Sequence, residues 1–257
     1  MAETHRNERT RRVALYGAAL VAFVGLGYGG FVWSPEAEVG TLLGAVDSQL
    51  RFAAAMPTHD KDGQELSTRK TLLDSSREML ERVERQSPRD PIAWEYKAYL
   101  AWLEGDAAAS AQIYGTARTF ADCTAELQRC FLLNEARMWA TAGDRARAVA
   151  VLRSESNVSG VDAGLLFEEL GERESAQRAF DAVAASDVRA TYFTGRLKLR
   201  IGDTDTAVAA VESALARDSG KTRELLREDA GLWRPRVEAE RLTRWLGTEA
   251  ATPPNGR

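Results

Sequence analysis

Between residues 91 and 218, apolar positions recur every three or four residues in runs of about three turns, and the same punctuation breaks each run. The breaks are Gly105-Asp106, Gly143-Asp144, Gly171-Glu172 and Gly202-Asp203. A glycine followed by an acid between two amphipathic runs predicts a helix–turn–helix, here four in succession. The first leading helix places Trp94, Ala98 and Ala101 on one face. At the fifth, ninth and twelfth positions after each turn glycine stand Ser110, Tyr114 and Ala117, then Ala148, Leu152 and Glu155, then Ala176, Phe180 and Val183, then Ala207, Val211 and Ala214. Small residues at the first of these slots and large ones at the second are what two antiparallel helices need where they cross closely.

Two more amphipathic helices are predicted ahead of these units. Ser34-Pro35-Glu36 reads as a helix start, with a capping hydroxyl, a proline at the first helical position and a carboxylate favoured by the helix dipole. Leu42, Leu43, Val46, Leu50 and Ala53 mark one apolar face as far as Ala55. Leu72, Leu73, Met79, Leu80 and Val83 do the same between Glu65 and Gln86. Ser87-Pro88-Arg89-Asp90-Pro91 is expected to be a hinge, because each proline disfavours helix in its predecessor. The helices of 34–90 are expected to cap one end of the stack, as repeat arrays require. At the other end, Lys221–Asp229 and Pro235–Leu246 are predicted as closing helices within 219–247, anchored by Trp233 and Trp245. The tail 248–257 is expected to be disordered.

The early aromatic, the small residues at close approach, the Gly-acid turn and the large residue of the second helix resemble the tetratricopeptide repeat. The resemblance covers Pro91 to about Asp218, with turn glycines spaced 38, 28 and 31 residues apart against ~34 in a regular array. Only the first unit has the early tryptophan, and Gly164 and Gly195 fill the small slot of the third and fourth. The resemblance implies an all-α solenoid of about four hairpins with flanking capping helices, and a scaffold that binds a protein or extended peptide. In such proteins the first helix of each hairpin lines the inner, partner-binding surface. Carried over by position, that groove comprises Glu95, Tyr99 and Trp102, then Leu133 and Arg137, then Leu165 and Glu168, and finally Tyr192, Arg196 and Arg200. Tyrosine and tryptophan offer contact area at little entropic cost, and arginine can hold a carboxylate bidentately.

Val13 to Trp33 is uncharged over 21 residues, which as a helix spans roughly 31 Å and matches a ~30 Å hydrocarbon core. It is predicted to be a transmembrane helix over 13–33. Arg6, Arg9, Arg11 and Arg12 precede it, and Glu36, Glu38 and Asp47 follow, so the amino-terminal arm 1–12 is expected in the cytoplasm and the rest beyond a bacterial inner membrane, in the periplasm. Thr10-Arg11-Arg12-Val13 also has some likeness to a twin-arginine export signal, but the apolar run exceeds a signal-peptide core and no small-x-small cleavage site follows before Ser34. Gly25 and Gly29 form a GxxxG spacing, a weak signal for homodimerisation through this helix.

The net charge of −4 divides into +2 over residues 1–12 and −6 over the remainder, which excludes a nucleic-acid-binding surface. Parts for catalysis are missing. His5 and His59 are the only histidines, so no Ser-His-Asp, Cys-His or multi-histidine metal set can be assembled, and neither a metal site nor a cofactor is expected. Asp60-Lys61-Asp62-Gly63 lacks the remaining ligands of a calcium loop. Ser219-Gly220-Lys221-Thr222 ends like a phosphate loop, but Leu215 stands where its first glycine belongs, so it reads as a helix end with Gly220 just past it. Asn157-Val158-Ser159 fits a glycosylation acceptor, a match common by chance. For Cys123 and Cys130, a structural bridge and two free buried thiols both stand open.

The sequence therefore describes a non-enzymatic, membrane-anchored repeat scaffold. The layout is similar to the TPR subunits of c-type cytochrome maturation and to the single-pass TPR protein that accompanies the Sec translocon. A structural subunit built permanently into a secretion, pilus or photosynthetic complex is the rival expectation.

Overall fold

The computed structural model describes residues 35–59, 66–120, 123–155 and 158–247. The basic arm, the predicted membrane helix with Gly25 and Gly29, the Asp60–Gly63 loop, Asn157 and the tail 248–257 lie outside the described residues. Among the described residues no helix is long and apolar enough to cross a membrane.

Every regular element among the described residues is helical. In chain order they are α1 (Pro35–Ala55), α2 (Ser67–Gln86), α3 (Pro91–Leu103), α4 (Ala107–Ala117), α5 (Ala125–Thr141), α6 (Arg145–Arg153), α7 (Val161–Glu169), α8 (Arg173–Asp181), α9 (Val188–Arg200), α10 (Thr204–Arg217), α11 (Ser219–Glu228), α12 (Ala230–Trp233) and α13 (Ala239–Leu246). The four Gly-acid pairs join α3 to α4, α5 to α6, α7 to α8 and α9 to α10. Their glycines have φ of +89°, +87°, +83° and +88°, the left-handed conformation that ends a helix without steric cost only at glycine. The following aspartates then start the next helix: Asp106, Asp144 and Asp203 accept from the backbone N–H of Ala109, Arg147 and Thr206. Such a cap contributes about 1 kcal/mol. Glu172, one methylene longer, makes no such cap and instead holds Arg153 at 2.5 Å.

The slots read from the sequence are occupied as a close crossing demands. Ser110, Ala148, Ala176 and Ala207 are fully buried, and Tyr114, Leu152, Phe180 and Val211 are buried beside them. The twelfth position fails in the second unit. There α6 ends at Arg153, so Glu155 falls beyond the helix and is exposed, 3.7 Å from Arg118.

The stack begins before Pro91. Helices α1 and α2 form a hairpin of their own, and both pack on α3 in a core of Val46, Leu50, Leu80, Val83 and Ala93. Arg69, buried on α2, donates to the Leu103 carbonyl at the end of α3 at 2.6 Å, satisfying a helix terminus that α3 cannot satisfy itself. The expected hinge at Ser87–Pro91 is a tight turn instead. Asp90 caps α3 through Ile92 and Ala93, and the Trp94 indole donates to the Pro88 carbonyl at 2.9 Å.

At the carboxyl end, Ser219–Thr222 opens α11 rather than ending a helix. Asp218 terminates α10 and then accepts from the Lys221 N–H, so Gly220 lies in a first turn and needs no unusual φ. The last helix starts at Ala239 and not at Pro235, because Arg234, Arg236 and Val237 close a turn on the carbonyls of Ala230 and Trp233 and tuck Val237 into the core. Trp233 is fully buried, edge-on to Trp245 at 5.8 Å, as anchors closing the stack should be.

Candidate functional site: the row of first helices

Each first helix touches the next: α1 on α3, α3 on α5, α5 on α7 and α7 on α9. The second helices α2, α4 and α8 fit against the first helix that follows them. Because successive first helices meet directly, they form one continuous surface on which a bound chain could run past several repeats. The second-to-third junction is the loosest: its contact passes through α5 and α7, while α6 stands back. A cavity of about 540 Å³ opens there toward the second helices, lined by Leu152, Arg153, Phe167, Ser175 and Arg178 among others.

The amino-terminal half of the row is aromatic and open. Tyr99 and Trp102 stack at 5.5 Å with an interplanar angle of 19°, and Trp102 is 40% exposed. Glu95 lies one turn before Tyr99 and is half-buried. Burial pushes its carboxyl above the usual glutamate range, and the neighbouring Asp47 on α1 pushes it further. Asp47 itself holds Arg51 at 2.9 Å through both oxygens. From α4, Tyr114 reaches the same region. Burial raises its hydroxyl to about 12, Glu95 and Tyr99 add to the rise, and Arg137 of α5 opposes it. Arg137 is exposed and hydrogen-bonds Asn134, while Leu133 packs partly buried against the core.

The carboxyl-terminal half is a closed ion network. Glu168 of α7, its side chain 5% exposed, is held by Arg196 at 2.6 Å and Arg200 at 2.8 Å, both from α9. Arg196 also stands 3.4 Å from Asp229 and lies over the Phe193 ring at 4.5 Å. Of the ten residues assigned to the groove, Tyr192 is the clear correction. It is fully buried, with its hydroxyl 2.9 Å from Asp229 and accepting from the Trp233 indole at 3.1 Å. Burial and Asp229 push its ionisation well above the ordinary tyrosine value. Tyr192 turns toward the closing helices because α11 and α12 cover its side of α9. Glu168 and Arg196 are likewise engaged with each other, and Leu165 is half-buried against the core. Arg200, about half exposed, is the groove residue of this end that solvent still reaches.

Residues the sequence reading did not assign complete both halves. Asp47 and Arg51 join the open patch, Tyr114 lies buried beside it, and Asp229 joins the closed network. Asp47 was missed because α1 was read as a cap and not as the first member of the row. Cys123 is buried and Cys130 exposed, and both are free thiols, which closes the question of a bridge. Among the described residues no group of three or more His, Cys, Asp or Glu could hold a metal ion.

Comparison with known proteins agrees with this geometry at the level of the repeat. Residues 71–122 and 161–222, together less than half the chain, match the tetratricopeptide repeat family. The first segment begins within α2, in keeping with a stack that starts ahead of Pro91. No curated protein matches the chain. Among solved structures, similarity extends to TTC0263, a thermophilic TPR protein of Thermus thermophilus, at 19% identity over 73% of this chain and 98% of that one, with a TM-score of 0.41. The Cut9–Hcn1 hetero-tetramer of the APC/C is matched at 12% identity over 87% of this chain and 50% of that one, TM-score 0.40. Pseudomonas aeruginosa pilF is matched at 12% identity over 73% and 99%, TM-score 0.29. Those two segments thus match tetratricopeptide repeats, within an array whose regular elements among the described residues are all helical.

Proposed function

We propose that this protein is a membrane-anchored scaffold of the bacterial envelope, which binds a protein or extended peptide along its row of first helices and assists assembly of an envelope complex, as TPR subunits do for cytochrome c. The observation that carries the reading is the stacked Tyr99/Trp102 pair. A tryptophan left 40% exposed on a surface shared by successive repeats has no packing role that requires its exposure. Large, stiff aromatic rings are the side chains that most often dominate binding energy. The anchor rests on the uncharged run Val13–Trp33 behind four arginines.

Pull-down from detergent extract with the full chain, repeated with Tyr99→Ala/Trp102→Ala, tests the surface. The double variant should retain less than a tenth of the partner recovered by the wild type while keeping its helical circular dichroism. Undiminished recovery would remove the groove from this face. Topology is read by fusing alkaline phosphatase to the carboxyl terminus. An active fusion is expected, and a stable but inactive one would place the repeats in the cytoplasm.

A further inference from the structure

On α3, Glu95 faces a problem that the fold itself does not solve. Its carboxylate is half-buried, the charge that bears on it is the like charge of Asp47, and among the described residues neither a hydrogen bond nor an ion pair reaches it. The two arginines of this region are committed elsewhere, Arg51 to Asp47 and Arg137 to Asn134. One and two turns further along α3, the stacked rings of Tyr99 and Trp102 continue the stripe.

A half-buried carboxylate with a like charge near it and no counter-charge is unfavourable, and a stack that needed only to hold itself together would have no use for one here. A carboxylate beside aromatic faces is the surrounding that attracts a cation, through the charge of the one and the ring quadrupoles of the other. We propose that Glu95, Tyr99 and Trp102 form a subsite for a lysine or arginine side chain of the bound peptide. The inference rests on the groove reading above and adds the chemical class of residue that the groove selects. In the complex, the partner's cation takes the ion pair that Glu95 lacks, and its alkyl stem lies on the rings.

The free protein should show the cost of this unpaired carboxylate. An acid whose pKa is raised by folding destabilises the native state once it is ionised, above the ordinary glutamate range, and has no effect below that range where it is protonated in both states. Glu95→Gln should therefore melt at or above the wild-type temperature at pH 7, with any difference vanishing as the pH falls below 4. A variant that melts clearly lower would mean that Glu95 serves the fold, and would overturn the assignment.

Binding is tested by panning a random dodecapeptide library on the full chain in detergent, in parallel with Glu95→Gln, Glu95→Lys and Tyr99→Ala/Trp102→Ala. Peptides recovered on the wild type should be enriched in lysine and arginine, bind Glu95→Gln at least tenfold more weakly, and fail on the aromatic double variant. Glu95→Lys should shift the selection toward acidic residues. Peptides that depend on the aromatic pair but show no basic enrichment, or bind Glu95→Gln equally well, would overturn the subsite and leave the groove standing. Selected peptides indifferent to the aromatic pair, or no selected peptides at all, would remove both.

Discussion

Gly164→Ala is expected to destabilise the protein by about 2 kcal/mol or more, lowering Tm by roughly 4–8 °C, although the same change in a helix elsewhere is favourable. A Cβ built on Gly164 would lie 2.2 Å from Cε1 and 2.5 Å from Cδ1 of Phe180. That ring cannot step aside: Phe180 is fully buried and stacked on Phe193 at 5.8 Å. Overpacking of this kind costs about 1–3 kcal/mol and outweighs the ~1 kcal/mol that alanine recovers over glycine in a helix. Gly44→Ala, at an exposed position of α1 where a new Cβ meets nothing within 4 Å, serves as the control and should stabilise by about 0.5–1 kcal/mol. Thermal unfolding of both variants followed by circular dichroism decides the matter. Pairing Gly164→Ala with Phe180→Leu should recover part of the loss, and equal Tm values for wild type and Gly164→Ala would mean that α7 and α8 do not cross as closely as described.

The second large effect is expected at Arg196. Its replacement by methionine keeps much of the stem over Phe193 but leaves Glu168, 5% exposed, with only the half-exposed Arg200. Breaking a buried pair by removing one member costs about 3–5 kcal/mol because the remaining charge stays desolvated. Replacing both ends, as Arg196→Met with Glu168→Leu, should bring stability back to within about 1–2 kcal/mol of the wild type, since apolar residues of similar volume substitute for a buried ion pair at little cost. Urea unfolding of the single and double variants completes the cycle. A loss of under 1 kcal/mol in Arg196→Met would show that the network is solvated. Because it ties α7 and α9 to Asp229 at the end of α11, its loss should loosen the closing helices first, visible as faster amide exchange around Trp233.

These two sites differ in how far the sequence announced them. Gly164 was legible as the small residue of a leading helix, because its slot is set by local spacing from Gly171. Arg196 and Glu168 were also named, as groove residues, but not as partners of each other. They are 28 residues apart, and Tyr192 and Trp233 are 41 apart, so their pairing depends on how one hairpin is offset from the next. Nothing in the periodicity of α7 or α9 encodes that offset. The aromatic pair of α3 was readable because Tyr99 and Trp102 lie on one helix at three-residue spacing. Asp47 and Tyr114, contributed by the helices on either side, were not.

The amino-acid sequence alone determined where the helices turn and which positions lie inside each hairpin. Those are short-range matters: a glycine that can take positive φ, an aspartate three residues before the N–H it caps, and small side chains at the crossing. The tertiary structure alone decided that α1 and α2 open the stack, that Tyr192 faces the core, and that Glu95 is left without a cation while Glu168 has two. Charges and rings find partners according to the stacking of whole hairpins, and that stacking is settled by the burial of many side chains at once.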